Sequence, residues 1–204
     1  VHSAEDAHYL DYILSRIILF ISSEVWGDSV TSLMDRFKFS KKAKTGRVIT
    51  FSARKILSSN KKNVNPSFIF WGRVGKEKAV ERAVLIFSKI LKFHPNATFK
   101  IIGSDGGTLT KVKELCISLN VSNSVFFYDE MDFLEIEKYA ELSCFYLQTS
   151  LYEGAAMSVM ESMKLGLVPI VTPVGEISRY CNKDNAVVVY SNNEAVRDVL
   201  MILE

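Results

Sequence analysis

Glu153 and Glu161 stand eight positions apart in the stretch LYEGAAMSVMESMKLGLVPIVT (151–172). Between them lie mostly small and apolar residues, and after them come a Gly, a Pro and a β-branched run. Just past the first acid, Gly154, Ala155 and Ala156 carry no bulk, and Met157 follows. A helix that begins there turns free backbone N–H groups and its positive dipole end toward an anion such as phosphate. Small side chains let a diphosphate come close. Glu161 lies five positions beyond Ala156, roughly 8 Å further along by helical rise. A carboxylate with two acceptor oxygens suits a cis-diol such as ribose O2′ and O3′. The spacing therefore fits a nucleoside diphosphate laid along a helix. Glu161 would hold the ribose, and Glu153 would face the group beyond the phosphates. Arg73 and Lys78, in GRVGKEK (72–78), supply countercharge across a crevice.

Each feature alone has a plainer explanation. Glu153 fits a helix N-terminal acid, Glu161 a surface partner of Lys164, Arg73 and Lys78 an exposed helix start, and GSDGG (103–107) a turn after a strand. What weighs against the plainer readings is where the elements put these residues. SFIFW (67–71) is a short apolar run, as a buried strand needs. KEKAVERAVLIFSKILKF (76–93) sets Val80, Ala83, Val84, Phe87, Ile90 and Leu91 at helical spacing, and His94-Pro95-Asn96 breaks it. Strands at 97–103, 124–128, 144–150, 168–172 and 186–190 then alternate with helices at 108–120, 132–142, 156–165, 176–181 and 193–204. Six strands alternating with helices predict an α/β domain: an open parallel sheet of Rossmann type with helices on both faces. Apolar rather than alternating strands agree with a sheet covered on both sides. Ligands of such sheets bind outside the carboxyl ends of the strands. That rule selects GRVGKEK, GSDGG, DEMD (129–132) and LYEGAAM, all on one edge.

Residues 1–57 are less regular. RIILFIS (16–22) and VITFS (48–52) read as strands with a helix over 23–36 between them, and SSNKKNVNP (58–66) reads as a linker. The expected division is a partial α/β domain with its linker over 1–62 and the main α/β domain over 63–204. The chain begins without Met and ends inside a helical pattern, so it reads as a piece of something longer.

The 204 residues are 48% hydrophobic and 24% charged, as in a globular protein, and no run approaches the roughly 18 apolar residues of a membrane span. No leader pattern opens the chain. Cys116, Cys144 and Cys181 are far apart, which points to a reducing, cytoplasmic setting rather than to disulfides or zinc. The net charge of +2 hides an asymmetry: residues 31–62 hold ten Lys and Arg against one acid. A basic window of that kind suits an anionic lipid surface on the inner membrane face, or is simply a solvated face. It lacks the interleaved aromatics of a nucleic-acid module, so no nucleic-acid partner is expected.

GRVGKEKAVERAV, FKIIGSDGG, SVFFYDEMDF and SLYEGAAMSVMESMKLGLVPIVTPVG together resemble the carboxyl-terminal domain of GT-B glycosyltransferases of family 4, over about residues 66–190. Glu153 to Glu161 is that family's E-x7-E pattern. SRIILFISSEV (15–25) is similar, more loosely, to the end of the family's amino-terminal, acceptor-side domain. The resemblance implies a retaining hexosyltransferase-type enzyme with a nucleotide-sugar donor, UDP by family frequency. The acceptor would be a saccharide or lipid-linked sugar of bacterial surface polysaccharide such as lipopolysaccharide. It implies that Arg73 and Lys78 bind the donor diphosphate, that Glu161 binds the ribose and that Glu153 contacts the donor sugar. The loop Gly154, Ala155, Ala156, Met157 faces phosphates and sugar, and Gly72 and Gly103 complete the donor-binding set. Glu153, Arg73 and Lys78 are the catalytic candidates. DEMD matches the region beside the base. No metal or other cofactor is expected, and no D-x-D occurs. Two departures bear on the donor sugar: Arg179 stands where the family often has an acid, and Ala155 and Ala156 where an aromatic is frequent. By itself the chain should be weakly active or inactive. A sugar-nucleotide epimerase of the same architecture and a non-catalytic nucleotide-sugar binding module are the alternatives. Dependence of turnover on an acceptor separates the first, and binding without turnover the second.

Overall fold

The computed structural model describes residues 65–204 in full and, before them, the backbone of two three-residue strands, β1 (Val25–Gly27) and β2 (Ala43–Thr45). The chain divides into two compact units, Val1–Thr50 and Phe51–Glu204. In the first, β1 and β2 pair in parallel, Val25 against Ala43 and Gly27 against Thr45. Over 25–27 this corrects the helix expected over 23–36, since Val25 and Trp26 favour extended backbone and Gly27 weakens a helix; the rest of that span lies outside the described residues. The strands expected at 16–22 and 48–52 lie outside the described residues.

The second unit is built on β3 (Ser67–Trp71), all five of whose residues are buried. Phe68 and Phe70 point to one face and Ile69 and Trp71 to the other, as a period of two requires. Each face has its own apolar cluster. The first joins Phe68 and Phe70 to α1 (Val80–Leu91), and Phe68 stacks on Phe145 with ring centres 4.9 Å apart. The second joins Ile69 and Trp71 to Tyr146, Val159 and Ile177. Around β3 the chain adds β4 (Val74–Gly75), β5 (Thr98–Ile102), β6 (Asp105–Gly106), α2 (Leu109–Ser118), β7 (Val125–Tyr128), α3 (Phe133–Glu141) and β8 (Phe145–Gln148). It continues with α4 (Met157–Lys164), β9 (Val168–Val171), α5 (Ile177–Tyr180), β10 (Val187–Val188) and α6 (Asn192–Leu203). The main sheet has six strands in the order β10-β9-β8-β3-β5-β7, all parallel. The order reverses direction beside β3, between β5 and β8, which is where open parallel sheets leave a crevice.

Local chemistry explains the helix limits. Asp132 caps α3 by accepting from Glu135 N–H (2.9 Å), and Ser191 caps α6 by accepting from Glu194 N–H (3.3 Å). The helix expected from 76 begins instead at Val80. Lys76–Lys78 form a 3-10 turn, and Ala79 follows in the left-handed region at φ 46°. One carbonyl of the turn is drawn elsewhere, Glu77 O accepting from Leu151 N–H (2.8 Å), and Ala79 O accepts from the Thr149 hydroxyl (2.9 Å) as well as from Arg82 N–H (2.9 Å). So the loop after β8 breaks the helix start and holds Lys78 against it. Cys116 and Cys181 are buried and Cys144 half-buried, all three as free thiols, and burial pushes Cys116 and Cys181 up to about 11. Among the described residues no helix is long and apolar enough to cross a membrane.

Candidate functional site

Because every strand of the main sheet runs the same way, the loops after β3, β5, β7 and β8 open on one edge. Two of them are zipped together. β4 and β6 pair in parallel, Val74 against Asp105 and Gly75 against Gly106. Gly72 N–H donates to Ile102 O and Gly103 N–H to Tyr128 O, both at 3.0 Å. Gly103 sits at φ 147°, and a Cβ there would lie 2.0 Å from Gly72 O. Thus Gly72 and Gly103 meet backbone to backbone, one after β3 and one after β5.

Glu153 is the most elaborately held side chain of the edge. Its Oε1 accepts from Lys78 Nζ (2.7 Å), Gln148 Nε2 (2.7 Å) and Ser150 Oγ (2.6 Å). The carboxylate is 9% exposed and Lys78 21%, so this is a charge-assisted pair mostly out of water. Glu153 lies four residues before α4, which corrects the plainer reading of an acid in the first helical turn. Glu161 lies on α4 itself, half-buried, and its Oε2 accepts from the Trp71 indole N–H (3.2 Å). The two acids are therefore both anchored by strand-borne donors, one at the mouth of the segment and one in its body.

The loop between them is strapped from behind. Ala155 and Ala156 are buried, so the loop presents backbone rather than side chain, while Met157 is 38% exposed. Ala156 is left-handed at φ 54° and precedes α4 without a side-chain cap. The Tyr180 hydroxyl donates to Ala155 O (2.8 Å) and Ala156 O (3.3 Å), and Glu176 N–H donates to Gly154 O (3.0 Å). Gly175, at φ 57°, passes so close that a Cβ would meet Glu153 O at 2.1 Å. These contacts hold the loop before α4, which starts without a side-chain cap, so its first N–H groups are of the kind an anion takes.

Behind Glu153 runs a buried polar chain. The Tyr146 hydroxyl donates to Gln148 Oε1 (2.5 Å) and Trp71 O (3.3 Å), and Ser158 Oγ donates to the same Gln148 Oε1 (2.9 Å). Burial holds the Tyr146 phenol well above its ordinary range, with the charges of Glu153 and Glu161 adding to the effect, so it stays a proton donor. Burial likewise raises Tyr180.

Of the expected site residues the structure joins Lys78 to Glu153 and Gly72 to Gly103, and two cations differ from expectation. Arg73 does not reach across the crevice; it pairs with Glu77 four residues on (2.5 Å) and is 64% exposed. Lys78 is occupied by Glu153. Arg179 pairs with Glu176 (2.7 Å) beside the Gly154 strap. Reasoning from sequence missed Trp71, Tyr146, Gln148, Ser150, Ser158, Tyr180 and Gly175. One signal was available: Gln148 and Ser150 are polar residues at the end of an apolar strand, and buried polar groups need partners. Among the described residues no three His, Cys, Asp or Glu stand together as metal ligands would.

Comparison with known proteins gives the family and the fold. The model of the family "Glycosyl transferases group 1" matches residues 51–204. Two curated glycosyltransferases of Methanocaldococcus jannaschii are similar. One is 28% identical over 126 residues, covering 61% of this chain and 32% of that protein. The other is 31% identical over 105 residues, covering 52% and 25%. The chain thus spans about a third and a quarter of the lengths of these relatives. Among solved structures, HepE of Anabaena in complex with UDP-glucose superposes with a TM-score of 0.80 at 14% identity, covering 99% of this chain and 60% of that one. TarM of S. aureus, in complex with UDP among other ligands, gives 0.78 at 14%, covering 91% and 38%. WaaG, a glycosyltransferase involved in lipopolysaccharide biosynthesis, gives 0.73 at 14%, covering 88% and 53%. At such identities the structural likeness speaks for the fold. The chain belongs to the group 1 glycosyl transferases, and its six-stranded parallel sheet is the Rossmann-like carboxyl-terminal half of a GT-B fold.

Proposed function

We propose that the chain carries the donor site of a retaining glycosyltransferase, which moves a sugar from a UDP-sugar to a saccharide or lipid-linked acceptor of a surface polysaccharide. The observation that carries this reading is the pair of anchored acids flanking an uncapped helix N-terminus: Glu153 on Lys78, Gln148 and Ser150, and Glu161 on Trp71. UDP is favoured because HepE and TarM were solved with UDP or UDP-glucose; a surface-polysaccharide role is favoured by the likeness to WaaG.

In this reading the α4 N–H groups, Lys78 and Arg73 receive the diphosphate. Fixed dipoles and cations stabilise the charge that develops on it as the bond to the anomeric carbon breaks. Arg73 leaves Glu77 and Lys78 shifts from Glu153 toward the phosphates. The acceptor oxygen forms the new bond on the same face, and its proton passes to the departing phosphate oxygen. Glu161 holds the ribose hydroxyls with the oxygen not taken by Trp71. Glu153 meets the donor sugar, and no step is assigned to a metal.

The test is calorimetric titration with UDP, GDP, ADP and NAD. UDP is expected to bind, and Glu161→Ala and Arg73→Ala each to weaken it about 10–100-fold, the effect of losing a charged hydrogen-bond partner. Tight NAD binding, or UDP binding indifferent to both changes, would sink the site assignment. The basic segment 31–62 is proposed as a contact for anionic lipid headgroups on the cytoplasmic side of a membrane. Sedimentation with phosphatidylglycerol vesicles at low salt, reversed at about 0.5 M salt where screening is strong, is the expected result. Equal sedimentation with neutral phosphatidylcholine vesicles counts against it.

A further inference from the structure

We infer that Gln148 is a positioning residue for Glu153, and that it does so because its amide is itself fixed by Tyr146 and Ser158. This rests on the donor reading above, in which Gln148 is one of three donors to Glu153, and gives it a role of its own.

Strand β8 brings Tyr146 and Gln148 to the same face, two positions apart. Both are fully buried. An amide has one acceptor end and one donor end, and a buried one must satisfy both. The acceptor end of Gln148 takes the hydroxyls of Tyr146 (2.5 Å) and Ser158 (2.9 Å). The Glu153 carboxylate can only accept, so the donor end Nε2 must lie toward its Oε1 (2.7 Å), and the two hydroxyls, free to donate, complete the other end. Tyr146 is kept a donor by its burial, so it cannot release this orientation by ionising. Its ring centre lies 4.4 Å from that of Trp71, whose indole holds Glu161. One connected path thus runs from Glu161 through Trp71, Tyr146 and Gln148 to Glu153.

The consequence for the site is a division of labour at Glu153. Lys78 and Ser150 also bind Oε1. When Lys78 turns toward a diphosphate, its bond to Glu153 is lost. Gln148 and Ser150 then keep Oε1 in place and leave Oε2 for the sugar. Ser150 is on the loop, whereas Gln148 is on the sheet, so Gln148 ties the acid to the rigid part of the fold.

The experiment titrates UDP and UDP-glucose into the wild-type protein, Gln148→Met, Glu153→Gln and the double variant, with thermal melts of each. Methionine keeps the volume and removes both hydrogen-bonding ends. Gln148→Met is expected to bind UDP within about twofold of wild type and UDP-glucose about tenfold more weakly, with no further loss when added to Glu153→Gln. Coupling of that size is ordinary for residues in one hydrogen-bond network. A merely structural role would instead weaken both ligands together, and its loss would multiply with that of Glu153→Gln. Either that pattern or unchanged UDP-glucose binding overturns the assignment. If Gln148→Met melts far below wild type, Ser158→Ala replaces it, with a loss of the same kind of about threefold expected; no loss overturns the proposal. A wild-type protein that binds no UDP, or whose UDP-glucose binding ignores Glu153→Gln, overturns the donor reading itself and this assignment with it.

Discussion

On the proposed donor reading, Glu153→Gln in the whole enzyme is expected to lower turnover of the nucleotide sugar by about 10²–10³-fold, the usual cost of removing one preorganised electrostatic partner of a transition state. UDP affinity stays the same or tightens by a few-fold. The geometry separates the two effects. The three donors to Glu153 come from Lys78, Gln148 and Ser150, and all reach a single oxygen. A glutamine can still offer one oxygen to them, so the loop should keep its shape. What is lost is the charge that would face the donor sugar as its anomeric carbon becomes electron-poor. What is gained is a freer Lys78, which no longer has to leave a carboxylate 2.7 Å away before it meets a diphosphate. Rates of UDP release, measured beside a UDP titration, check both halves. A rate within about threefold of wild type would show that Glu153 is a structural anchor for Lys78.

Gly103→Ala is expected to destabilise the protein by about 3–5 kcal/mol, combining backbone strain and forced overpacking. Gly103 adopts φ 147°, a region that side chains resist, and its Cβ would lie 2.0 Å from Gly72 O and 2.7 Å from Gly72 C. Both neighbours are backbone and cannot swing away as a side chain tip does. The two loops must part, which pulls apart the β4–β6 pairing that carries Arg73. Domains of this size lose about 2–4 °C of melting temperature per kcal/mol, so a fall of roughly 6–20 °C is the expected outcome of a thermal melt. UDP binding should weaken at temperatures where the variant is still folded. A melt within about 2 °C of wild type would mean that the loops separate at little cost.

Much of the second unit was legible because its signals are local. Continuous apolar runs such as SFIFW and VPIVT and the helical spacing from Val80 to Leu91 each report their own burial, and a parallel order follows from their alternation. The shared edge of the candidate loops followed as well, since strands that all run one way put their carboxyl ends together. Helix starts were less legible. At the 3-10 turn Lys76–Lys78 and the left-handed Ala79, Leu151, seventy-odd positions away, takes the Glu77 carbonyl that a helix would have used, and Thr149 adds a hydroxyl to the Ala79 carbonyl. Nothing in KEKA records that competition.

By itself, then, the sequence determined which residues have chemistry to offer and which edge of the sheet they share: Arg73, Lys78, Glu153 and Glu161, with the small residues after Glu153. Only the tertiary structure decided whom each of them meets. Lys78 is drawn to Glu153, Arg73 to Glu77 and Glu161 to Trp71, and Gln148 lies between Tyr146 and Glu153. The physical reason is range. Burial and periodicity are properties of a few neighbouring residues, but a buried polar atom is satisfied by whichever donor the fold brings within about 3 Å. For Glu153 and Glu161 those donors lie from 3 to 90 residues away along the chain.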